Sequence, residues 1–559
     1  VGSLVNPSRR RGGTLRLVAS AYVDSLDPAR TYYGWVWLLQ RMLNRTLMAY
    51  PAAPGPDGLV PVPDLAESPG LPSDGGRTWT YRLRPGARYD DGAAVTAADI
   101  RYAVQRVFAR DVLPGGPAHL IPLLDDPARP YPGPYRDPGG LDSVQVPDDR
   151  TIVFRLRRAF PDFDHLMTAP GTSPVPRSAD TGSSYGQHPR CSGPYRIARS
   201  VPGKRLILER SRYWDPAADQ LRHALPDRVD LTFGLGLDER DERLIAGEFD
   251  IDLEGRGVQP AAQQRIMADP VLQSNTDNPP TGFLHFVSIQ PFVPPFGDIR
   301  VRRAVHLAAD RVRLQAARGG PVTGGDITFS LFPPGLPAYQ QPADRPGLHG
   351  DLAAARAQLA AAGLPDGFDA VIGTQRGKFR LVADALAASV ARVGIRLSVL
   401  ELDVASYFSA GIGSPRTVRD RAIGLAVNDW GADFPTEYGF IAPLVDGRHI
   451  SRDGGNFNVA ELDDPAINDM IDAALATGDP VRRTQLWRGI ERRALDLAVI
   501  LPLVHDKTLH YRNPWVTNAY VHPAFGLYDL QAMGVEPDRP GPGDPPPASE
   551  AEPALGRAR

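Results

Sequence analysis

Residues 77–108 read RTWTYRLRPGARYDDGAAVTAADIRYAVQRVF. Trp79, Tyr81 and Leu83 fall on one face of the opening run, and Thr80, Arg82 and Arg84 on the other. That is the period of a half-buried strand. Pro85-Gly86 and Asp91-Gly92 then supply two turns. Thr96 follows, with Asp99 three residues on, the spacing of a capping box at a helix start. Ile100, Ala103, Val104, Val107 and Phe108 recur at helical spacing. The stretch therefore predicts a strand, a double turn and an amphipathic helix.

The flanking sequence extends this into a mixed α/β pattern. GGTLRLVAS (12–20) predicts a strand and WVWLLQRMLNRTLMAY (35–50) a helix. A Pro- and Gly-rich stretch at 112–140 predicts a long surface excursion. SVQVPDDRTIVFRLRR (143–158) and SGPYRIARSVPGKRLILERSRYW (192–214) predict hairpins, the second turning at Pro202-Gly203. DLAAARAQLAAAG (351–363) predicts a helix closed by Gly363, and 379–402 a helix, Gly394, then a strand. Asp464-Pro465 and Asp479-Pro480 each place an N-cap before a proline at the first helical position. AVILPLVH (498–505) predicts a buried strand. No internal repeat is visible.

Composition narrows the class. For 559 residues the length prior is about three or four domains. Hydrophobic residues make up 42% and charged residues 23%, a globular balance. The net charge of −3 and pI of about 6.5 argue against nucleic acid or an anionic membrane as partner. With 55 Gly and 57 Pro, many well-defined loops are expected, and one long parallel sheet is disfavoured. A single cysteine, Cys191, excludes an intrachain disulfide and a cysteine-built zinc site. No run of about 18 apolar residues is present to span a membrane as a helix. VGSLVNPSRRRGG at the start lacks the apolar core of a signal peptide, so the chain is expected either to stay in the cytoplasm or to follow a removed signal. From about Val535 the sequence is rich in Pro, acid and small residues and predicts a disordered tail.

Residues 425–440, LAVNDWGADFPTEYGF, raise the functional question. Asp429, Asp433 and Glu437 stand among Trp430, Phe434, Tyr438 and Phe440. Gly431 and Pro435 interrupt any helix, and AIGLAV before them reads as a buried strand. Acids at the end of a buried strand, beside aromatics, point to a cation-binding pocket. Catalytic motifs fail by comparison. GTQRGK (373–378) has three residues between its glycines and no Ser or Thr after Lys378, and GLGLDE (234–239) lacks the third glycine of a dinucleotide fingerprint. His188 and Cys191 could pair as base and nucleophile, but a loop histidine and a small buried cysteine are the plainer reading.

The opening stretch, taken from Pro63, resembles the signature of the oligopeptide- and dipeptide-binding proteins of ABC importers, solute-binding protein family 5. DSLDPA (24–29), SGPYRI with LERSRYWD (192–215), PPFGDIRVRRAVHLAAD (294–310), the unit around VGIRL and DWGADFPTEYGF add to it, in order, over about residues 13–530. The resemblance implies a periplasmic-binding-protein fold of the large three-domain class, two α/β lobes with mixed sheets joined by two crossing strands. Domain I would be 1–49, 176–282 and 505–559, domain II 50–175 and domain III 283–504. A peptide would lie between the lobes, its ammonium on Asp433, with Trp430 as a wall. Tyr32, Tyr33 or Trp35 of TYYGWVW would contact it, and Arg376 would meet its carboxylate. Asp429 and Glu437, where they face the cleft, would select a basic side chain such as arginine. The family's acidic motif after the TYYGWVW segment is replaced here by Asn44-Arg45-Thr46-Leu47. The implied protein is an extracytoplasmic monomer without cofactor or catalysis, delivering ligand to an ABC permease, its signal or lipid anchor outside this numbering. Members of this family also occur in actinomycete antibiotic gene clusters, including those for clavulanic acid, and the Arg, Ala, Pro and Gly usage suits a GC-rich genome. A role in biosynthesis, binding or processing an intermediate, therefore stands as the alternative.

Overall fold

The computed structural model describes residues 4–536, apart from Ala343, Asp344, Pro346 and Ala405. The opening stretch folds as its pattern predicts. Thr78–Arg82 is a strand with Trp79 and Tyr81 buried. Asp99 Oδ2 accepts from Thr96 N at 2.9 Å and from its hydroxyl at 3.0 Å, and the helix Ala97–Phe108 follows. Its Ile100, Val104 and Val107 pack in one core with Trp79, Ile152 and Phe154. The strand lies in a four-stranded antiparallel sheet, ordered Leu71–Ser73, Thr78–Arg82, Thr151–Arg155, Val144–Asp148.

A second sheet has five strands, ordered Ile251–Asp252, Thr14–Ala19, Arg228–Phe233, Arg205–Arg210, Tyr195–Val201. Thr14–Ala19 runs parallel to both neighbours, and the 195–210 hairpin completes the sheet antiparallel. Gly193 explains the start of that hairpin. Its N–H donates to Leu43 O at 2.8 Å, and a Cβ there would lie 2.5 Å from Met42 O. The third sheet has six strands, ordered Asp326–Ile327, Ile500–Lys507, Pro280–Ile289, Ile423–Trp430, Phe368–Thr374, Ile395–Glu401. The last three are parallel and the rest antiparallel. Helices Ile299–Ala308, Leu352–Ala361 and Lys378–Ala391 share its core.

Two neighbouring segments link the third sheet to the second. Pro280–Ile289 is preceded by Thr276–Asp277, and Ile500–Lys507 is followed by His510–Tyr511, which pairs with Thr276–Asp277. Arg512 then bridges to Ile251 at the edge of the five-stranded sheet. These are the crossing strands that the resemblance implies, and the mixed α/β class stands.

Three local expectations are corrected. The helix expected over 35–50 ends at Leu43, because Asn44 turns extended and Arg45 turns inward to Asp64 at 2.7 Å. Asp64 also pairs with the buried Arg222 at 2.7 Å. Burial opposes the Asp64 charge, but Arg222 and Arg45 hold its carboxyl down at about 2. The stretch 112–140 is not purely superficial: Leu113, Leu120, Leu123, Leu124 and Tyr131 are buried, and Ile121–Leu124 forms a helical turn. Val535 is buried and pairs with Val516; the rest of the expected tail, from residue 537, lies outside the described residues.

Candidate functional site

A cavity of about 1020 Å³ opens between the sheets. One wall carries Tyr32, Trp37, Pro54 and Tyr520; the other carries Asp429, Trp430, Asp433, Phe408 and Phe457; the crossing segment Asp277–Phe283 lies along it. Asp433 follows the strand Ile423–Trp430 and is reached from two distant parts of the chain. The Tyr32 hydroxyl donates to Asp433 at 3.0 Å (Oδ2) and 3.2 Å (Oδ1). His119 Nε2 lies 2.7 Å from Asp433 Oδ2, and its ring meets Phe434 edge-on at 5.4 Å. Asp433 keeps 21% side-chain exposure, so it is neither sealed nor free in solvent. Burial and the adjacent Asp433 carboxylate raise the Tyr32 phenol, which therefore stays a donor.

Tyr32 is positioned by the DSLDPA turn. Its backbone N–H donates to Asp24 Oδ2 at 2.6 Å. Asp27 is gripped by Arg106, with Nη1–Oδ1 at 2.9 Å and Nη2–Oδ2 at 2.8 Å. The 112–140 stretch packs on the same turn: a Cβ on Gly116 would lie 2.3 Å from Ala29 O. That contact and the bond from Arg30 Nε to Pro114 O (3.4 Å) anchor the stretch bearing His119 to the turn bearing Tyr32. Gly431 has a comparable reason: a Cβ there would lie 2.7 Å from the Phe283 ring.

Asp429 lines the same cavity at the edge of a charged cluster. Arg318 Nη2 donates to Asp506 Oδ1 at 2.8 Å, and Arg318 Nη1 lies 3.1 Å from His285 Nδ1. Burial opposes the charge on Asp506, yet His285, Arg318 and Lys378 hold its carboxyl down at about 2. Asp429 goes the other way: burial raises its carboxyl, with His285 and Arg318 pulling against that and Asp506 adding to it. The third lining carboxylate, Asp277, forms an ion pair with Arg512 at 3.1 Å and accepts from the Tyr528 hydroxyl at 2.7 Å. Among the described residues that line the cavity there is no lysine, arginine or histidine.

The cavity thus gathers Asp433, Asp429, Trp430 and Tyr32, and the remaining expected residues lie elsewhere. Trp35 is buried in the core of the five-stranded sheet, and Trp37 takes the cavity position, its Nε1 donating to Thr31 O at 3.2 Å. Tyr33 is exposed and stacks on Trp35 with centroids 6.5 Å apart. Glu437 opens the helix Glu437–Val445 and accepts from Ala338 N at 3.1 Å. Arg376 is exposed in the turn before the helix Lys378–Ala391 and lines no part of the cavity. Cys191 is buried, which raises its thiol. Sequence reasoning missed His119 and Phe457, which sit in loops, Phe283, in the strand Pro280–Ile289, and Phe408, in the short helical turn Tyr407–Gly411. Among the described residues no group of three or more His, Cys, Asp or Glu could hold a metal ion, and no helix is long and apolar enough to cross a membrane.

Two sheet systems joined by paired crossing segments, with a large acidic and aromatic cavity between them, define a two-lobed solute-binding protein. Residues 60–452 match the family described as bacterial extracellular solute-binding proteins, family 5 (middle), and the chain belongs to it. The periplasmic oligopeptide-binding protein OppA of Salmonella typhimurium is 24% identical over 460 residues, covering 79% of this chain and 78% of its own. The glutathione-binding protein GsiB of Escherichia coli O1:K1 / APEC is 22% identical over 485 residues, covering 83% and 84%. Among solved structures, clavulanic acid biosynthesis oligopeptide binding protein 2 superposes with a TM-score of 0.93 at 70% identity, covering 96% of this chain and 97% of that one. The unliganded open form of the murein tripeptide-binding protein MppA shares the fold, with a TM-score of 0.76 at 20% identity over 96% of this chain and 99% of that one.

Proposed function

We propose that the protein captures oligopeptides, or related solutes with a free amino group, in this cleft and delivers them to an ABC permease. The observation that carries the reading is the placement of Asp433, a part-exposed carboxylate in the gap with partners from both other parts of the chain. An ammonium offers three donors, and charge-assisted hydrogen bonds contribute about 1.5–3 kcal/mol each. The unpartnered buried Nε1 of Trp430 is a donor suited to a ligand carbonyl. Asp429, beside Trp430 in the wall that also holds Phe408 and Phe457, suits a basic side chain such as that of arginine. The ligand carboxylate has no cationic partner among the described lining residues, so Arg376 could serve only a ligand that extends beyond the wall.

In this reading the protein is a monomeric, extracytoplasmic binder without catalysis, and the three-domain division (1–49, 176–282 and 505–559; 50–175; 283–504) describes its moving parts. Mass spectrometry of solute co-purified with the protein, followed by calorimetry with that solute, tests it. Recovery of only solutes without amino groups would overturn it. The 70% identity to a clavulanic acid biosynthesis oligopeptide binding protein supports a second reading, that the ligand is an intermediate of such a pathway. Turnover of a bound peptide or acylated amine on prolonged incubation would favour processing over capture.

A further inference from the structure

We infer that His119 is a specificity-determining residue that makes amine capture by Asp433 depend on pH, an inference that rests on the amine-anchoring reading above. His119 Nε2 sits 2.7 Å from Asp433 Oδ2, and the Tyr32 hydroxyl donates to the same oxygen at 3.0 Å. The imidazole is partly open to solvent, with 39% side-chain exposure. Among the described residues its ion pair is with Asp433. Phe434 packs against the ring edge. Two arginines that hold this stretch are turned to its backbone: Arg30 Nε donates to Pro114 O and Arg110 to Gly115 O and Gly116 O. Asp24 is turned to the backbone N–H groups of Tyr32 and Tyr33.

Two charge states follow. Neutral His119 donates its Nε2–H to Asp433 and leaves the carboxylate its full negative charge for a ligand ammonium. Protonated His119 makes the same hydrogen bond but neutralises the carboxylate, and it repels an ammonium brought to the same oxygens. Since imidazole changes charge between pH 5 and 8, the free-amine affinity falls as the solution is acidified, and amine binding below neutrality expels a proton from the site. Acidification does not discharge the ligand, because a peptide α-amine, with a pKa of about 7.7–8.0, stays charged at and below pH 7.

The test is calorimetry of the whole protein with one short peptide, free or N-acetylated, at pH 7.0 and 5.0. The wild type is expected to bind the free-amine peptide about tenfold more weakly at pH 5.0, with the acetylated peptide unmoved. At pH 6, titration in two buffers of different ionisation enthalpy is expected to show net proton release on binding. His119→Gln keeps an amide donor but cannot titrate, and is expected to abolish the slope. A slope that persists in this variant, or no proton release by the wild type, overturns the role of His119. Asp433→Asn separates the underlying reading: if this variant binds the free-amine peptide as tightly as the wild type, the anchor itself fails, whatever His119 does.

Discussion

Tyr32 and Asp433 lie 401 residues apart in the chain, and the tyrosine hydroxyl sits 3.0 Å from the aspartate Oδ2 across the cleft. Neither side chain is held only by the other. Tyr32 is fixed through its backbone by Asp24, and Asp433 is met by His119 from a third part of the chain. The contact therefore ties lobe geometry to the chemistry of one carboxylate.

Replacing that carboxylate is expected to weaken binding of free-amine peptides by about 10- to 100-fold, the equivalent of one charge-assisted bond of about 1.5–3 kcal/mol. Asp433→Asn keeps the shape and removes the charge. Calorimetry with a peptide and its N-acetylated form should show the loss for the first only; an equal loss for both would mean that the substitution disturbs the cleft itself.

Arg106 is expected to matter for stability and for the cleft together. Its pair with Asp27 is fully buried on both sides, and removing one member of such a pair typically costs about 3–5 kcal/mol, because the other charge is left uncompensated. Arg106→Met should lower the melting temperature and also weaken peptide binding, since Asp27 anchors the turn that carries Tyr32. Arg106→Met combined with Asp27→Asn should recover part of the stability. A double variant no more stable than the single one would count against uncompensated charge as the cause.

The sequence was readable where a local rule agrees with the tertiary structure. The strand, the turns and the capped helix of residues 77–108 follow from period and capping alone, as do the Asp-Pro helix starts at 464 and 479. The sequence pattern marked Asp429, Asp433 and Glu437 together, as acids among aromatics after a buried strand, and only the family resemblance singled out Asp433; the cavity takes up Asp429 and Asp433 but not Glu437. His119 was not legible, because it lies in a Pro- and Gly-rich stretch, where nothing local says which side chains face a distant acid. Trp35 and Trp37 show the same limit. They stand two residues apart at the start of one helix, and only packing against the five-stranded sheet decides that Trp35 goes to the core and Trp37 to the cavity. The helix expected through residue 50 failed because the buried Arg45–Asp64 pair outweighs continued periodicity.

Asp429 gives a prediction about side-chain preference. Burial keeps its carboxyl raised, so a ligand cation that binds beside it also stabilises its charged form. Peptides with an Arg or Lys side chain should bind the wild type more tightly than neutral peptides of equal length, by about tenfold for one such contact. Asp429→Asn should erase most of that difference while leaving the neutral peptides nearly unchanged. Competition calorimetry with matched peptides checks it, and a preference that survives the substitution would remove Asp429 from the site.

Asp162 yields the sharpest pH prediction for stability. It lies just before the helical turn Phe163–Leu166 and faces Thr436, Glu437 and Arg483. Burial pushes its carboxyl up to about 6; Arg483 pulls against that shift, and Glu437 adds to it. The unfolded chain has the ordinary value of 3.8, so between the two values the folded protein holds a proton that the unfolded chain has released. Stability therefore falls as pH rises from about 4 to 6 and stays lowered above that. Allowing for solvent screening, the cost above pH 6 is about 1–2 kcal/mol. Asp162→Asn removes the titration and keeps an acceptor for Thr436. It should raise the melting temperature at pH 7.5, with the gain shrinking toward zero as pH drops through 6 to 4. A gain of the same size at both ends of that range would show that burying the side chain's charge is not the source of the cost.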